Sequence, residues 1–242
     1  MRAFEQSLDQ VIPPQSYMVA RLDGRGFTRL TKELCQFETP FDGRFRDLMV
    51  ETTKHLMSCG FNITYGYTQS DEISLLFHPD ETAFSRKARK YISVLAGEAS
   101  AAFSLQLGNP AVFECRMIPL PSTEYVKDYF LWRQEDAHRN SLNAHCYWLL
   151  RKEGESVLKA TTLLEGQSTE FKKELLLRHG IRFDELPAWQ TYGVGVYYTY
   201  YDKTSINPIT DESVIATRRK LDVDYKLPQR EEYARMVDIL LT

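Results

Sequence analysis

The 242-residue chain has no apolar run near the roughly 18 to 20 residues that span a bilayer, which argues against a membrane-spanning helix. Met1 to Gln10 is too polar for a signal peptide, and the expected location is cytoplasmic. Cysteine is scarce. Cys35, Cys59, Cys115 and Cys146 lie far apart with no Cys-x-x-Cys pair, so neither a zinc site nor a disulfide framework is indicated, and all four are expected to be reduced. A surplus of positive charge is also missing. With 30 Lys and Arg against 33 Asp and Glu the net charge is −3, which excludes a basic nucleic-acid coat. RNA binding would rest on local patches: Arg86, Lys87, Arg89 and Lys90; Lys172 and Lys173; Arg218, Arg219 and Lys220. Internal repeats, low-complexity stretches and a clean linker are absent as well.

What is present alternates between strand and helix patterns. Tyr17 to Asp23 is rich in β-formers and ends at Asp-Gly, predicting a strand followed by a turn. Phe41, Phe45, Leu48, Met49, Thr52 and Leu56 recur at helical spacing. Thr39 with Asp42 suggests a capping box there, with Pro40 at the first helical position and Gly60 as a stop. Ile63, Tyr65 and Tyr67, then Ile73, Leu75 and Phe77, alternate as a hairpin whose turn is Gln69-Ser70-Asp71-Glu72. Phe84, Ala88, Tyr91, Ile92, Leu95, Ala99 and Phe103 predict a second helix, ended by Gly108, that would carry the basic run Arg86 to Lys90. Val112 to Leu120 reads as a strand, Ser122 to about Arg151 as a helix, and Thr169 to His179 as a helix closed by Gly180. Val194 to Tyr201 reads as a strand; for Tyr192 and Tyr197 to Tyr201 a place in the strand core is favoured over stacking on bases. Beyond Asp202 the pattern weakens, with a last helix expected from Pro228 to Leu240.

Strand, helix, hairpin, helix, strand is the order of a ferredoxin-like palm domain: α+β, with a mainly antiparallel sheet and helices on one face. Residues 1–135 are expected to form the palm-type catalytic core. Residues 136–242 would be a helical and β elaboration packed on it in one continuous unit.

Two carboxylates then stand at neighbouring strand ends, Asp23 closing the first strand and Asp71 at the hairpin tip. Central strands lie about 4.8 Å apart, so both acids can reach one or two divalent ions. Mg²⁺ suits such a place, because it takes a few hard oxygens from protein and completes its octahedron with water and substrate phosphates. Gly24 and Gly26 flank Arg25 and let the backbone approach a phosphate, and the amides of Arg25, Gly26, Phe27 and Thr28 would form an anion nest at the start of a helix. Lys32 would neutralise phosphate, and Ser70 would bond a phosphate or orient Asp71. Glu72 stays open: a third ligand, an acid supporting the ligands from behind, or simply the first residue of the outgoing strand. Each segment alone is ordinary turn chemistry; the two at matching ends, with a glycine-bracketed arginine, point to catalysis. His138 and His145 are seven apart without a carboxylate at ligand spacing and make no zinc site. His55, His78 and His179 read as structural.

The segments Arg21-Leu22-Asp23-Gly24-Arg25-Gly26-Phe27 and Tyr67 to Phe77 resemble the tRNA-His guanylyltransferase family, including its bacterial and archaeal guanylyltransferase-like members. The resemblance continues through Lys127 to Asn143, Lys172 to Leu176 and Asp184 to Pro187, covering nearly the whole chain in order. It implies a palm-like domain, two Mg²⁺ ions, ATP or GTP as activating and incoming nucleotides, tRNA as partner and a homo-oligomer, usually a tetramer. It also implies 3′-to-5′ polymerase chemistry: a 5′-monophosphate is activated by ATP or GTP, and the 3′-hydroxyl of an incoming nucleotide then attacks it. By this resemblance Asp23, the Gly24 carbonyl and Asp71 would be metal ligands, with Asp23 to Thr28, Ser70 and Asp71 holding the triphosphate. Lys32, Lys90 and Arg86 or Lys87 would neutralise phosphates. His138, Asn143 and Lys172 would serve activation or binding of the tRNA end.

Two departures bear on substrate. His138-Arg139-Asn140-Ser141 stands where eukaryotic members carry His-Ile-Asn-Asn, and Phe27 stands where they tend to have a longer Asn-Phe-His run. Both favour the guanylyltransferase-like branch, and the expected activity is templated repair of 5′-truncated tRNA; addition of the extra guanosine to tRNA-His is the alternative. A nucleotidyl cyclase shares strand-end acids, but the chain lacks a Gly-Gly-Asp-Glu-Phe turn. A non-catalytic RNA-binding protein would be suggested by loss of an acid, and both acids are present.

Overall fold

Residues 1–206 and 213–241 are described by a computed structural model. After a short N-terminal helix α1 (Arg2–Gln6), strand β1 (Tyr17–Gly24) leads through the helical turn α2 (Phe27–Arg29) and a π-helical turn (Leu30–Leu34) to α3 (Gly43–Ser58). The hairpin β2 (Ile63–Gln69) and β3 (Glu72–Phe77) follows, then α4 (Ala88–Leu107) and β4 (Phe113–Leu120). The remainder is α5 (Thr123–Lys152), α6 (Val157–Leu164), α7 (Thr169–Arg178), the single turn α8 (Ala188–Thr191), the hairpin β5 (Val194–Ile206) and β6 (Ser213–Asp224), and α9 (Arg230–Ile239). No helix among the described residues is long and apolar enough to cross a membrane.

The sheet order is β4-β1-β3-β2-β5-β6, antiparallel throughout. Its first four strands have the ferredoxin-like arrangement, and the second hairpin extends them. Alternation sorts the side chains. Met18, Ala20, Leu22, Ile73, Leu75 and Phe77 pack with α3 and α4, so the two helices of the palm occupy one face as expected. Val19, Tyr65, Tyr67 and Leu76 point the other way, where the C-terminal part supplies Val126, Tyr129 and Phe130 of α5 and Tyr233 and Val237 of α9. A third apolar cluster joins α5 to α6 and α7 through Leu142, Cys146, Leu150, Ala160, Leu164 and Leu176.

Several sequence expectations are corrected. Helix α3 begins at Gly43, not at Pro40. Asp42 is its N-cap, accepting from the Arg44 amide at 2.7 Å, because its carboxylate is buried and also takes the Glu38 amide at 2.7 Å. Phe84 and Arg86 lie before α4 in a 3₁₀ turn with positive φ, and Lys87 is the N-cap, so only part of the basic run is helical. The division expected between residues 135 and 136 falls inside α5, which runs unbroken from Thr123 to Lys152. Tyr200 and Tyr201 are exposed, not core, because β5 continues to Ile206 beyond the covered part of the sheet.

Candidate active site

Asp23 is the penultimate residue of β1, and Asp71 follows Ser70 in the two-residue turn between β2 and β3, with Ser70 at φ 54°. The register pairs Asp23 with Glu72, and the Gly24 amide donates to the Asp71 carbonyl at 3.0 Å, so the two acidic segments are bonded side by side. Burial pushes the Asp71 carboxyl up to about 6, and the neighbouring negative charge of Asp23 adds to it. Two carboxylates that repel each other, one of them poorly hydrated, suit a divalent cation.

Glycine is required here for two different reasons. At Gly24 a Cβ would meet the Phe27 ring at 2.5 Å, since Phe27 turns back beneath the strand end into a cluster with Phe45, Phe103 and Phe113. Gly26 has φ +71° and is the N-cap of the following turn. The amides of Gly26, Phe27 and Thr28 open that turn without intrahelical partners. The Arg25 amide drops out of the expected nest, because it donates to the Val112 carbonyl at 2.8 Å. Phe27 contributes backbone only; its side chain is core.

A cleft of about 330 Å³ opens beside these turns, lined by Phe27, Thr28, Thr31, Lys32, Ser70 and Asp71 from the palm. Lys32 reaches it from the π-helical turn, with its Nζ 4.6 Å from the centre of the Trp148 ring and its pKa lowered by burial. The opposite wall comes from α5. Arg133, Ala137, Asn140, Ser141, Ala144 and Trp148 recur at helical spacing along one stripe and face the cleft. These residues carried no assigned role in the sequence; the 133, 137, 140, 144, 148 spacing on a predicted helix was the signal for them.

Glu72 heads β3, and its carboxylate is held by two arginines: Arg21 Nη2 donates to Oε1 at 2.5 Å and Arg133 Nη2 donates to Oε2. Its place at the head of β3 matches the strand-start reading.

The remaining predicted residues disperse. His138 stacks on Tyr192 at 4.7 Å and meets Phe183 edge-on; burial, and then Lys173, lowers its pKa. Asn143 accepts from Lys172 Nζ at 3.0 Å on the exposed surface. None of these three lines the cleft. Arg86 is buried and donates to the carbonyls of Ser16 at 2.6 Å, Glu81 at 3.1 Å and Ile12 at 3.2 Å, so its guanidinium is structural. Lys87 pairs with Asp9 at 3.1 Å, and Lys90 Nζ stands 5.7 Å from the centre of the Phe84 ring. All three lie at the start of α4, a helix about 30 Å long whose far end leads into β4 beside Gly24. None of the three lines the cleft.

Among the described residues no three His, Cys, Asp or Glu side chains form a metal cage. Asp23, Asp71 and the Gly24 carbonyl offer the sparse hard-oxygen set that leaves room for water and phosphate, which fits Mg²⁺.

A ferredoxin-like sheet that presents two carboxylates at adjacent strand ends, one of them lining a nucleotide-sized cleft, defines a palm-type nucleotidyltransferase. Comparison with known proteins narrows the class. The tRNAHis guanylyltransferase family model matches residues 1–121 and the Thg1 C terminal domain model matches residues 124–240. The chain is 32% identical over 213 residues to the tRNA(His) guanylyltransferase of Neurospora crassa, covering 83% of this chain and 72% of that one. A bacterial Thg1-like protein solved with ATP superposes with a TM-score of 0.76 at 25% identity, over 100% of this chain and 97% of that one. The same kind of protein solved with GTP gives 0.74 at 25% identity, over 100% and 96%. The chain belongs to the tRNAHis guanylyltransferase family and is a nucleotidyltransferase.

Proposed function

We propose that the chain adds nucleotides to the 5′ end of tRNA in the 3′-to-5′ direction, choosing each by pairing with the opposite strand, and so restores 5′-truncated tRNAs. The observation that carries this reading is that the Asp23 and Asp71 segments are bonded side by side, with Asp71 lining a cleft walled by both family segments. The departures at Phe27 and at Arg139 to Ser141 support repair. Addition of the extra guanosine to tRNA-His is the second reading, favoured by the name of the Neurospora relative.

In the first step a phosphate oxygen of the RNA 5′-monophosphate attacks the α-phosphorus of ATP or GTP, and pyrophosphate leaves. In the second the 3′-hydroxyl of the incoming nucleotide attacks the activated 5′-phosphorus, loses its proton and releases AMP or GMP. Asp23, Asp71 and the Gly24 carbonyl would hold two Mg²⁺ ions, which when bound supply Lewis acidity at the reacting phosphate. The amides of Gly26, Phe27 and Thr28 bind phosphate oxygens, and Lys32 lends positive charge from the cleft wall. Ser70 Oγ donates to Asp71 Oδ1 at 3.2 Å and orients that carboxylate. Small side chains at Ala137, Ser141 and Ala144 leave width for a base and ribose against α5. A tetramer in the cytoplasm completes the reading, and light scattering of the purified chain measures its mass.

The test compares 5′-monophosphorylated tRNA lacking its first nucleotide with full-length tRNA-His, given ATP, all four nucleotides and Mg²⁺. Preferred extension of the truncated tRNA with the templated nucleotide supports repair. Preferred guanosine addition to full-length tRNA-His supports the second reading, and extension of neither sinks both.

A further inference from the structure

Glu72 adjoins Asp71 and pairs across the ladder with Asp23, yet its carboxylate is turned to two arginines. Arg21, two residues before Asp23 on the same strand face, donates to Glu72 Oε1 at 2.5 Å and stands 3.6 Å from Asp23 Oδ2. Arg133 projects from α5 and donates through Nη2 to the other oxygen, Oε2, and to Asp136 Oδ2 at 3.1 Å. Asp136 is held in turn by Arg139 at 3.0 Å and Asn140 at 3.2 Å. Thr68 Oγ1 fixes the Glu72 carbonyl at 2.9 Å. The Arg133 side chain is only 6% exposed, stacks on Trp132 and lines the cleft. Both carboxylate oxygens of Glu72 are therefore committed to guanidiniums, one from each family segment.

We propose that Arg133 is a positioning residue of the carboxylate site. From α5 it engages the second oxygen of Glu72, keeps that acid from becoming a third cation ligand, and fixes the strand start that carries the Asp71 turn. The proposal rests on the reading of Asp23 and Asp71 as cation ligands. A partly buried carboxylate stripped of one guanidinium seeks another partner, and the adjacent role is coordination beside Asp71. The C-terminal segment thereby sets the ligand count at a site built from the palm.

The experiment titrates Mn²⁺ into the full chain without nucleotide, reading free ion by electron paramagnetic resonance, for the native protein, Arg133→Met, Glu72→Gln and the double variant. Arg133→Met should bind Mn²⁺ about tenfold more tightly and show a changed bound-ion spectrum, while its kcat for nucleotide addition falls. Glu72→Gln should stay within about twofold of native affinity, and in that background Arg133→Met should add no gain. Unchanged affinity in Arg133→Met overturns the proposal, as does an equal gain in both backgrounds, which would mark simple removal of a positive charge. If Arg133→Met does not fold, Glu72→Gln decides alone: a tenfold loss of Mn²⁺ affinity would make Glu72 a ligand and overturn the clamp. Asp71→Asn separates the two layers, since undiminished Mn²⁺ binding there removes the carboxylate site itself.

Discussion

Asp71 and His145 show how surroundings oppose the charged form of a single residue. Asp71 is raised towards 6 by burial and by Asp23, so its proton competes with a divalent cation, and Mn²⁺ affinity should weaken as pH drops below about 6. A calorimetric titration at several pH values checks this; pH-independent affinity would contradict it. His145 is buried beside Phe41 and Phe183, and burial lowers its pKa to about 4. A histidine depressed in the fold contributes stability above its unfolded pKa near 6.5 that is lost as pH falls towards 4. We expect His145→Leu to flatten that part of the acid unfolding profile by on the order of 2 kcal/mol, measured by urea melts at pH 7 and pH 4.5. Neither environment is readable in the sequence. His145 was visible only as a histidine seven residues from His138, because burial depends on Phe41 and Phe183 arriving from distant elements.

At the scale of elements, strand and helix periods made the palm legible. Met18, Ala20, Leu22, Ile63, Ile73, Leu75 and Phe77 pack on α3 and α4 as their alternation implies, whereas a register shift between Ile63 and Tyr65 turns Tyr65 and Tyr67 to the other face; Gly108 caps α4 with φ +75°. Boundaries set by local chemistry were less visible. Thr39 and Asp42 looked like one capping box, whereas Asp42 alone caps α3, accepting from the Glu38 amide and from the amide, Nε and Nη2 of Arg44, with its pKa held at about 2 chiefly by the Arg44 side chain. Asp42→Ala should lower stability by about 1 to 2 kcal/mol at pH 7. That difference should persist above pH 4 and vanish as pH falls towards 2, because the native carboxylate is depressed below its unfolded value. Equal effects at pH 2 and pH 7 would refute the cap. Gly24→Ala tests the strand end. A methyl 2.5 Å from the Phe27 ring should cost about 1 to 3 kcal/mol and displace the turn that presents the amides, lowering both melting temperature and kcat. A fully active, equally stable variant would mean that Phe27 repacks. Val194 to Tyr201 was legible as a strand, but the rest of the β5–β6 hairpin was not, because among its described residues only Leu221 and Val223 at the end of β6 pack on the core and the exposed remainder has no alternation to show.

At the scale of the molecule, the site is where a palm and a C-terminal helix meet. The palm half was legible because Asp23, Gly24, Gly26, Ser70 and Asp71 are neighbours along short segments. The other wall was not, because Arg133, Asn140, Ser141 and Trp148 meet the palm only through tertiary packing of α5. The same distinction separates basic residues that a composition count treats alike. Lys32→Ala should raise the KM for nucleotide about tenfold, the loss of one partly buried charge contact. Arg86→Ala should instead lower the melting temperature while leaving that KM within about threefold, since its donors serve three carbonyls at the other end of the sheet. The central claim is that Asp23 and Asp71 act together in 3′-to-5′ nucleotide addition. Its most direct measurement is extension of a 5′-monophosphorylated, 5′-truncated tRNA by the native chain, Asp23→Asn and Asp71→Asn, with ATP, the templated nucleotide and Mg²⁺. The account predicts a product longer at its 5′ end from the native chain and a loss of at least about a hundredfold in each folded variant; extension at native rate by Asp71→Asn would contradict it.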